Sequence, residues 1–197
     1  MDKLPPTVFV AGLGRCGTSL LMQMLDAGGM AVYPDKGWPA YEYGDYFQTG
    51  GSPEWLKGVS GKASKLLDPH KLHWSLKSFP YKVIWLSRDT AQQAASQIKF
   101  LRASMPFVPD TRQARKGFEW SIRKETKDAM ALLKRLGANV LRMNFEHLLA
   151  NPIEAATTIQ EHIRADLDLI AMATAVRSRS ADCYPGFLEA ELLKEPA

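Results

Sequence analysis

Short apolar runs alternate along this chain with longer stretches whose apolar residues recur every three or four positions. The run Thr-Val-Phe-Val-Ala at residues 7–11 has no polar face, which suits a strand buried on both sides. Further strand candidates lie at 30–33, 61–67, 82–87 and 139–143, and 82–87, with Val83-Ile84-Trp85-Leu86, is stronger than 61–67. Between the runs, residues 17–26 place Leu20, Leu21, Met24 and Leu25 on one helical stripe, stopped by Gly28-Gly29. Helical stretches at 90–105 and 111–136 follow, the second closed by Gly137. A last helix starts with Asn151 as N-cap, Pro152 in the first turn and Glu154 three residues after the cap. Strands alternating with helices predict an α/β domain of three layers, a central parallel sheet of about four or five strands covered on both faces. No repeat, linker or low-complexity block divides residues 1–197, so a single domain is expected. Ligands of such sheets bind beyond the carboxyl ends of the strands.

At the first of those ends stands Gly12-Leu13-Gly14-Arg15-Cys16-Gly17-Thr18-Ser19, between a strand and a helix. Glycines let backbone N–H groups approach an anion closely, and the positive end of the helix dipole adds attraction. Three ligands fit such a loop. Gly12, Gly14 and Gly17 match the dinucleotide pattern G-x-G-x-x-G, with Asp35 23 residues past Gly12 as a ribose-binding acid. That reading makes the chain a Rossmann-type NAD(P)-binding oxidoreductase, for which it is short. Gly12 and Gly17 also have the spacing of a nucleoside triphosphate loop, with Ser19 at the magnesium position. Thr18 then replaces the lysine that neutralises the β- and γ-phosphates, which argues against ATP or GTP hydrolysis. The third reading keeps this geometry and changes the ligand.

Gly14-Arg15-Cys16-Gly17-Thr18-Ser19-Leu20-Leu21 resembles the phosphosulfate-binding loop of the sulfotransferase family, with Cys16 where that loop usually has serine. Tyr81 to Thr90, with Ser96 eight residues after Arg88, resembles the family's second signature. There a strand ends in arginine, the next helix carries serine, and both hold the nucleotide's 3′-phosphate. Residues 140–152, which include Arg142-Met143-Asn144-Phe145-Glu146, resemble a late structural element of the same enzymes. The resemblance covers about residues 8–163 and implies a P-loop-like fold. It also implies 3′-phosphoadenosine 5′-phosphosulfate (PAPS) as co-substrate, with no metal, and transfer of its sulfuryl group to a hydroxyl or amine acceptor that the sequence does not identify. A non-catalytic nucleotide-binding module is the lesser alternative.

On this resemblance, Gly14, Arg15, Cys16, Gly17, Thr18 and Ser19 bind the 5′ end, with Cys16 contributing its backbone, and Arg88 and Ser96 bind the 3′-phosphate. Arg15 meets the transferring group, and Lys65, 23 residues before Arg88, falls roughly where the family's cytosolic members place a catalytic lysine. Those members carry a histidine two residues later, where this chain has Leu67. Glu42 and His70 are the candidate bases, in that order. An ordinary surface lysine and an ordinary loop histidine are the plainer readings of Lys65 and His70. Trp38, Tyr41, Tyr43, Tyr46, Phe47 and Trp55 suit either an acceptor lid or core packing, and the Arg177-Ser178-Arg179-Ser180 run reads as tail.

Composition narrows the class further. The net charge of +4 favours an anionic ligand, yet no basic stripe interleaved with aromatics suggests nucleic acid. Two cysteines are too few for a disulfide framework, which points to a reducing compartment. With no signal-peptide pattern and no run of 18 apolar residues, a cytoplasmic protein without membrane contact is expected.

Overall fold

The computed structural model describes residues 6–34, 52–71, 80–105 and 107–176. Strand β1 (Thr7–Gly12) leads through the glycine loop into α1 (Thr18–Ala27), then β2 (Val32–Tyr33), α2 (Pro53–Val59) and β3 (Ala63–Leu67). After a 3-10 turn at Pro69–Lys71 come β4 (Tyr81–Ser87), α3 (Thr90–Ser104), α4 (Arg112–Arg135) and β5 (Asn139–Asn144). Helices α5 (Phe145–Ala150), α6 (Pro152–Ile163) and α7 (Leu169–Thr174) complete the described elements. The sheet has five strands in the order β2-β3-β1-β4-β5, every pair parallel. All five strand candidates contribute a strand to it.

Alternation along β1 builds the two cores. Val8 and Val10 face one side with Ile84 and Leu86, packed against Leu21 and Leu25 of α1, Ile159 of α6 and Met172 of α7. Phe9 and Ala11 face the other side with Val83 and Trp85, packed against α2 and against Ile122, Ala129 and Leu133 of α4. Every residue of β1 is buried, as a central strand between two helical layers requires. The three-layer α/β prediction is therefore what the chain adopts.

Differences from the sequence reading are local. Helix α2 went unread because a seven-residue element offers barely two turns of periodicity. Ser52 caps it by accepting from the Trp55 amide at 3.1 Å. Helix α5 is shorter still, starting where β5 ends, with the Asn144 side chain accepting from the His147 amide. The helix after Asn151 was expected to be the last, yet the six-residue α7 follows it, capped by Asp168, which accepts from the Ala171 amide. Asn151 stands at the N-cap position of α6, but its side chain makes no cap hydrogen bond and turns instead to His147. Trp55 belongs to the core, because its ring stacks on Phe9 at 5.5 Å between centroids. The other five aromatic residues considered for a lid lie outside the described residues.

Deleting a buried aromatic side chain removes its transfer energy and leaves a cavity. Trp55→Ala is thus expected to destabilise the fold by about 3–5 kcal/mol. Guanidinium unfolding measures it, and an unchanged midpoint would place the ring outside the core.

Candidate functional site

Parallel pairing brings the carboxyl ends of β1, β3 and β4 to one edge. Gly12 aligns with Leu67, and Ala11 with Trp85. The glycine loop lies above this edge. A Cβ on Gly12 would meet the Cys16 sulfur and the Leu86 carbonyl, so only glycine lets the loop leave the strand here. Gly17 has φ 104°, and a Cβ there would run into the Phe145 ring of α5. It is the N-cap of α1 and supplies no side-chain cap to the first-turn amides, of which that of Leu20 donates back to the Gly17 carbonyl at 3.0 Å. This is the electrostatic setting that an anion needs.

Two clusters of expected ligands flank the loop. In the first, the buried Lys65, 4% exposed, donates from Nζ to Ser19 Oγ at 2.8 Å. Lys65 is thus no surface lysine. Its ammonium is fixed beside the second residue of α1, in the α1 layer. In the second cluster, Arg15 Nε donates to Ser96 Oγ at 3.3 Å, and the guanidinium lies 5.1 Å from the Phe100 ring centroid. Arg88 reaches the same place from the end of β4. Its Nη1 donates to the Arg15 carbonyl and its Nη2 to Gln92 Oε1, both at 3.4 Å, and its guanidinium lies 5.1 Å from the Phe145 ring. Arg15, Arg88 and Ser96 are therefore neighbours, although Arg15 was expected at the 5′ end and the other two at the 3′-phosphate.

Cys16 occupies the loop without offering its side chain. The thiol is buried in the core beside Gly12, and its amide donates to the Leu13 carbonyl at 3.2 Å. Burial pushes the thiol up to about 12, against the smaller opposing pull of the Thr18 amide and the Lys65 charge. Thr18 is buried at 5% exposure and Ser19 is half-buried.

His70 lies away from Lys65. Asp68, at φ 46°, turns the chain after β3, and its amide donates to the Gly12 carbonyl at 3.1 Å. Beyond that turn, His70 Nε2 sits 3.7 Å from Glu125 Oε2 on α4, a carboxylate that Lys71 also approaches at 3.2 Å. Since α4 covers the face opposite α1, His70 and the Lys65 ammonium are on different sides of the sheet. Glu42, Asp35 and the Arg177 to Ser180 run lie outside the described residues. Among the described residues no helix is long and apolar enough to cross a membrane.

Four contributors were not singled out in the sequence. Phe100 and Phe145 support the two arginines, and Gln93 and Gln97 of α3 hold the loop from behind. Their one signal was position: Gln93, Gln97 and Phe100 follow Arg88 at helical spacing that brings them round to the loop, as Ser96 does.

No protein-family model and no curated protein matches the chain in sequence. Among solved structures, it is similar to mouse sulfotransferase SULT7A1 complexed with PAP, with a TM-score of 0.49 and 18% identity over 91% of this chain and 66% of that one. It is also similar to retinol dehydratase in complex with androsterone and inactive cofactor PAP, with a TM-score of 0.38 and 17% identity over 96% of this chain and 65% of that one. The chain thus spans slightly less than two thirds of either protein's length.

The Cys16 environment gives a direct test. With Cys183 replaced by serine, iodoacetamide at pH 8 should leave the native protein unmodified and label it once unfolded. Because the folded thiol holds its proton up to about pH 12, while an unfolded thiol ionises near about pH 8.5, stability should fall as pH rises above that lower value. Fast native labelling would place the sulfur in the loop's mouth.

Proposed function

We propose that this chain binds PAPS and transfers its sulfuryl group to a hydroxyl or amine acceptor. The observation that carries the reading is the pairing, at one sheet edge, of an uncapped helix start beside a buried lysine with a second cationic cluster one strand away. A ligand anionic at both ends suits that pairing, and PAPS carries a 5′-phosphosulfate and a 3′-phosphate.

In this reading the amides of Gly17, Thr18 and Ser19 hold the 5′-phosphate, while the Lys65–Ser19 pair serves the sulfuryl group and its bridging oxygen. The acceptor atom attacks sulfur, the bond from sulfur to the bridging oxygen breaks, and that electron pair stays on the departing 5′-phosphate. Lys65 offsets the negative charge growing there, in a setting where a fixed cation is worth far more than in water. Arg88 and Ser96 take the 3′-phosphate, and Arg15 joins them, since its guanidinium already rests on the Ser96 hydroxyl. The acceptor's proton goes to a base; Glu42 is our candidate, because His70 is engaged by Glu125 on the opposite face.

The dinucleotide reading fares worse on topology. It puts the ribose-binding acid at the end of a strand adjoining β1, but β3 separates β2 from β1. Neighbouring strands lie about 4.8 Å apart, so β2 itself lies about 10 Å from the loop's own strand.

Calorimetry with PAPS and with adenosine 5′-phosphosulfate, which lacks the 3′-phosphate, tests the assignment. Wild type should prefer PAPS strongly, and Arg88→Ala should lose about 10- to 100-fold in affinity for PAPS alone. Equal losses for both nucleotides would remove Arg88 from the 3′-phosphate, and tight binding of NAD alone would remove the reading. Lys65→Met should lower turnover about 10²–10³-fold with a much smaller change in affinity for the desulfated nucleotide. Turnover near the wild-type value would free Lys65 of its role.

A further inference from the structure

The peptide between Gly14 and Arg15 is held in the less favoured of two orientations. The Cys16 amide donates to the Leu13 carbonyl at 3.2 Å, closing a four-residue turn with Gly14 and Arg15 at its centre. Arg15 has φ 69°, whereas Gly14 is not among the residues with positive φ. A turn with positive φ only at its third residue is type II, and it differs from type I mainly by a half-rotation of the central peptide. Type II normally has glycine or asparagine third. An arginine there carries the steric cost of a Cβ in the left-handed region, and flipping the peptide would relieve it.

Two side chains oppose that flip. Gln93 Nε2 and Gln97 Nε2, one helical turn apart on α3, each donate to the Gly14 carbonyl at 2.9 Å. Gln93 Nε2 also lies 3.3 Å from the Leu13 carbonyl, and its side chain is buried at 3% exposure. A carbonyl so held is aimed at α3. Because the peptide is planar and trans, the Arg15 N–H points the opposite way, away from α3. Donors on the carbonyl also polarise the peptide and strengthen that N–H.

We infer that Gln93 and Gln97 are positioning residues for anion binding: they lock the Gly14–Arg15 peptide so that its N–H joins the anion-binding face of the loop. The demand is greater here than in a loop with lysine at position 18. Thr18 adds no charge of its own to the loop, so the backbone donors carry more of the anion and must be preset. The identity of the anion rests on the nucleotide reading above, whereas the peptide lock does not.

The test uses Gln97→Met and the double variant Gln93→Met/Gln97→Met, which remove donors without adding charge. Affinities for PAPS and adenosine 5′-phosphosulfate are measured by calorimetry, and the Arg15 amide resonance is followed by NMR in the free protein. One donor still holds the carbonyl in the single variant, so its loss should stay within about threefold. The double variant should lose roughly tenfold or more, on the scale of one or two hydrogen bonds. That loss should be equal for the two nucleotides, which share a 5′ end, and the Arg15 resonance should move. A lowered melting temperature with unchanged affinities would mean packing only and overturn the inference, as would an unmoved Arg15 resonance. Should the double variant not fold, the resonance in Gln97→Met decides by the same criterion. If wild type binds neither nucleotide, the proposed function fails by itself. Inorganic sulfate then serves as probe, and an Arg15 amide that responds to sulfate in wild type but not in the double variant still upholds the lock.

Discussion

Parallel pairing of β1 with both β3 and β4 is the constraint on which everything else depends. It makes β1 the buried centre of the sheet and forces three carboxyl ends to one edge. Each strand then delivers one part of the candidate site: the loop after Gly12, the Lys65 ammonium from the middle of β3 and the Arg88 guanidinium after β4. With β4 antiparallel, Arg88 would be carried to the far edge. The site is thus a consequence of sheet topology before it is one of side-chain chemistry.

Opposing demands meet in the loop. It must bring backbone donors together in a tight space, so Gly12 and Gly17 sit where a Cβ would strike Cys16 and Phe145. Yet such a loop is pliable, and its shape comes from contacts on several sides. Cys16 anchors it into the core, Phe145 closes it beneath Gly17, Asp68 ties its first residue to the chain after β3, and the two glutamines hold Gly14. A cysteine in this position therefore serves packing. Burial keeps its thiol protonated, so it brings no negative charge to the start of α1.

Strand β1 was legible as a short, uniformly apolar run, the mark of a strand covered on both faces, and β4 by its Val83-Ile84-Trp85-Leu86 centre, whereas β3 and β5 carry polar residues within shorter apolar pieces. The long helices were legible by their stripes and stops. Helices α2, α5 and α7 were not, since elements of six or seven residues carry too little periodicity, and their caps, Ser52, Asn144 and Asp168, also suit ordinary turns. At the site, Arg88, Ser96 and the loop could be named from spacing, but their mutual arrangement could not. Strand order is a long-range property, so nothing local in sequence foretold that Arg15 would reach Ser96 across 81 positions. The burial of Lys65 likewise follows from β3 lying beside β1 instead of at an edge. His70 illustrates the converse: its position five residues after Lys65 suggested proximity, but the turn at Asp68 carries it to the other face.

Electrostatically, the arrangement spreads positive charge over two points separated by a strand, with neutral amides between them. On the proposed function, such a pattern selects a ligand by the distance between its anionic groups as much as by their number. The most direct test is a crystal structure of the protein with 3′-phosphoadenosine 5′-phosphate. The account predicts the 5′-phosphate within hydrogen-bonding distance of the Gly17, Thr18 and Ser19 amides, and the 3′-phosphate on Arg88 and Ser96. A 5′-phosphate bound anywhere other than at this helix start would contradict it.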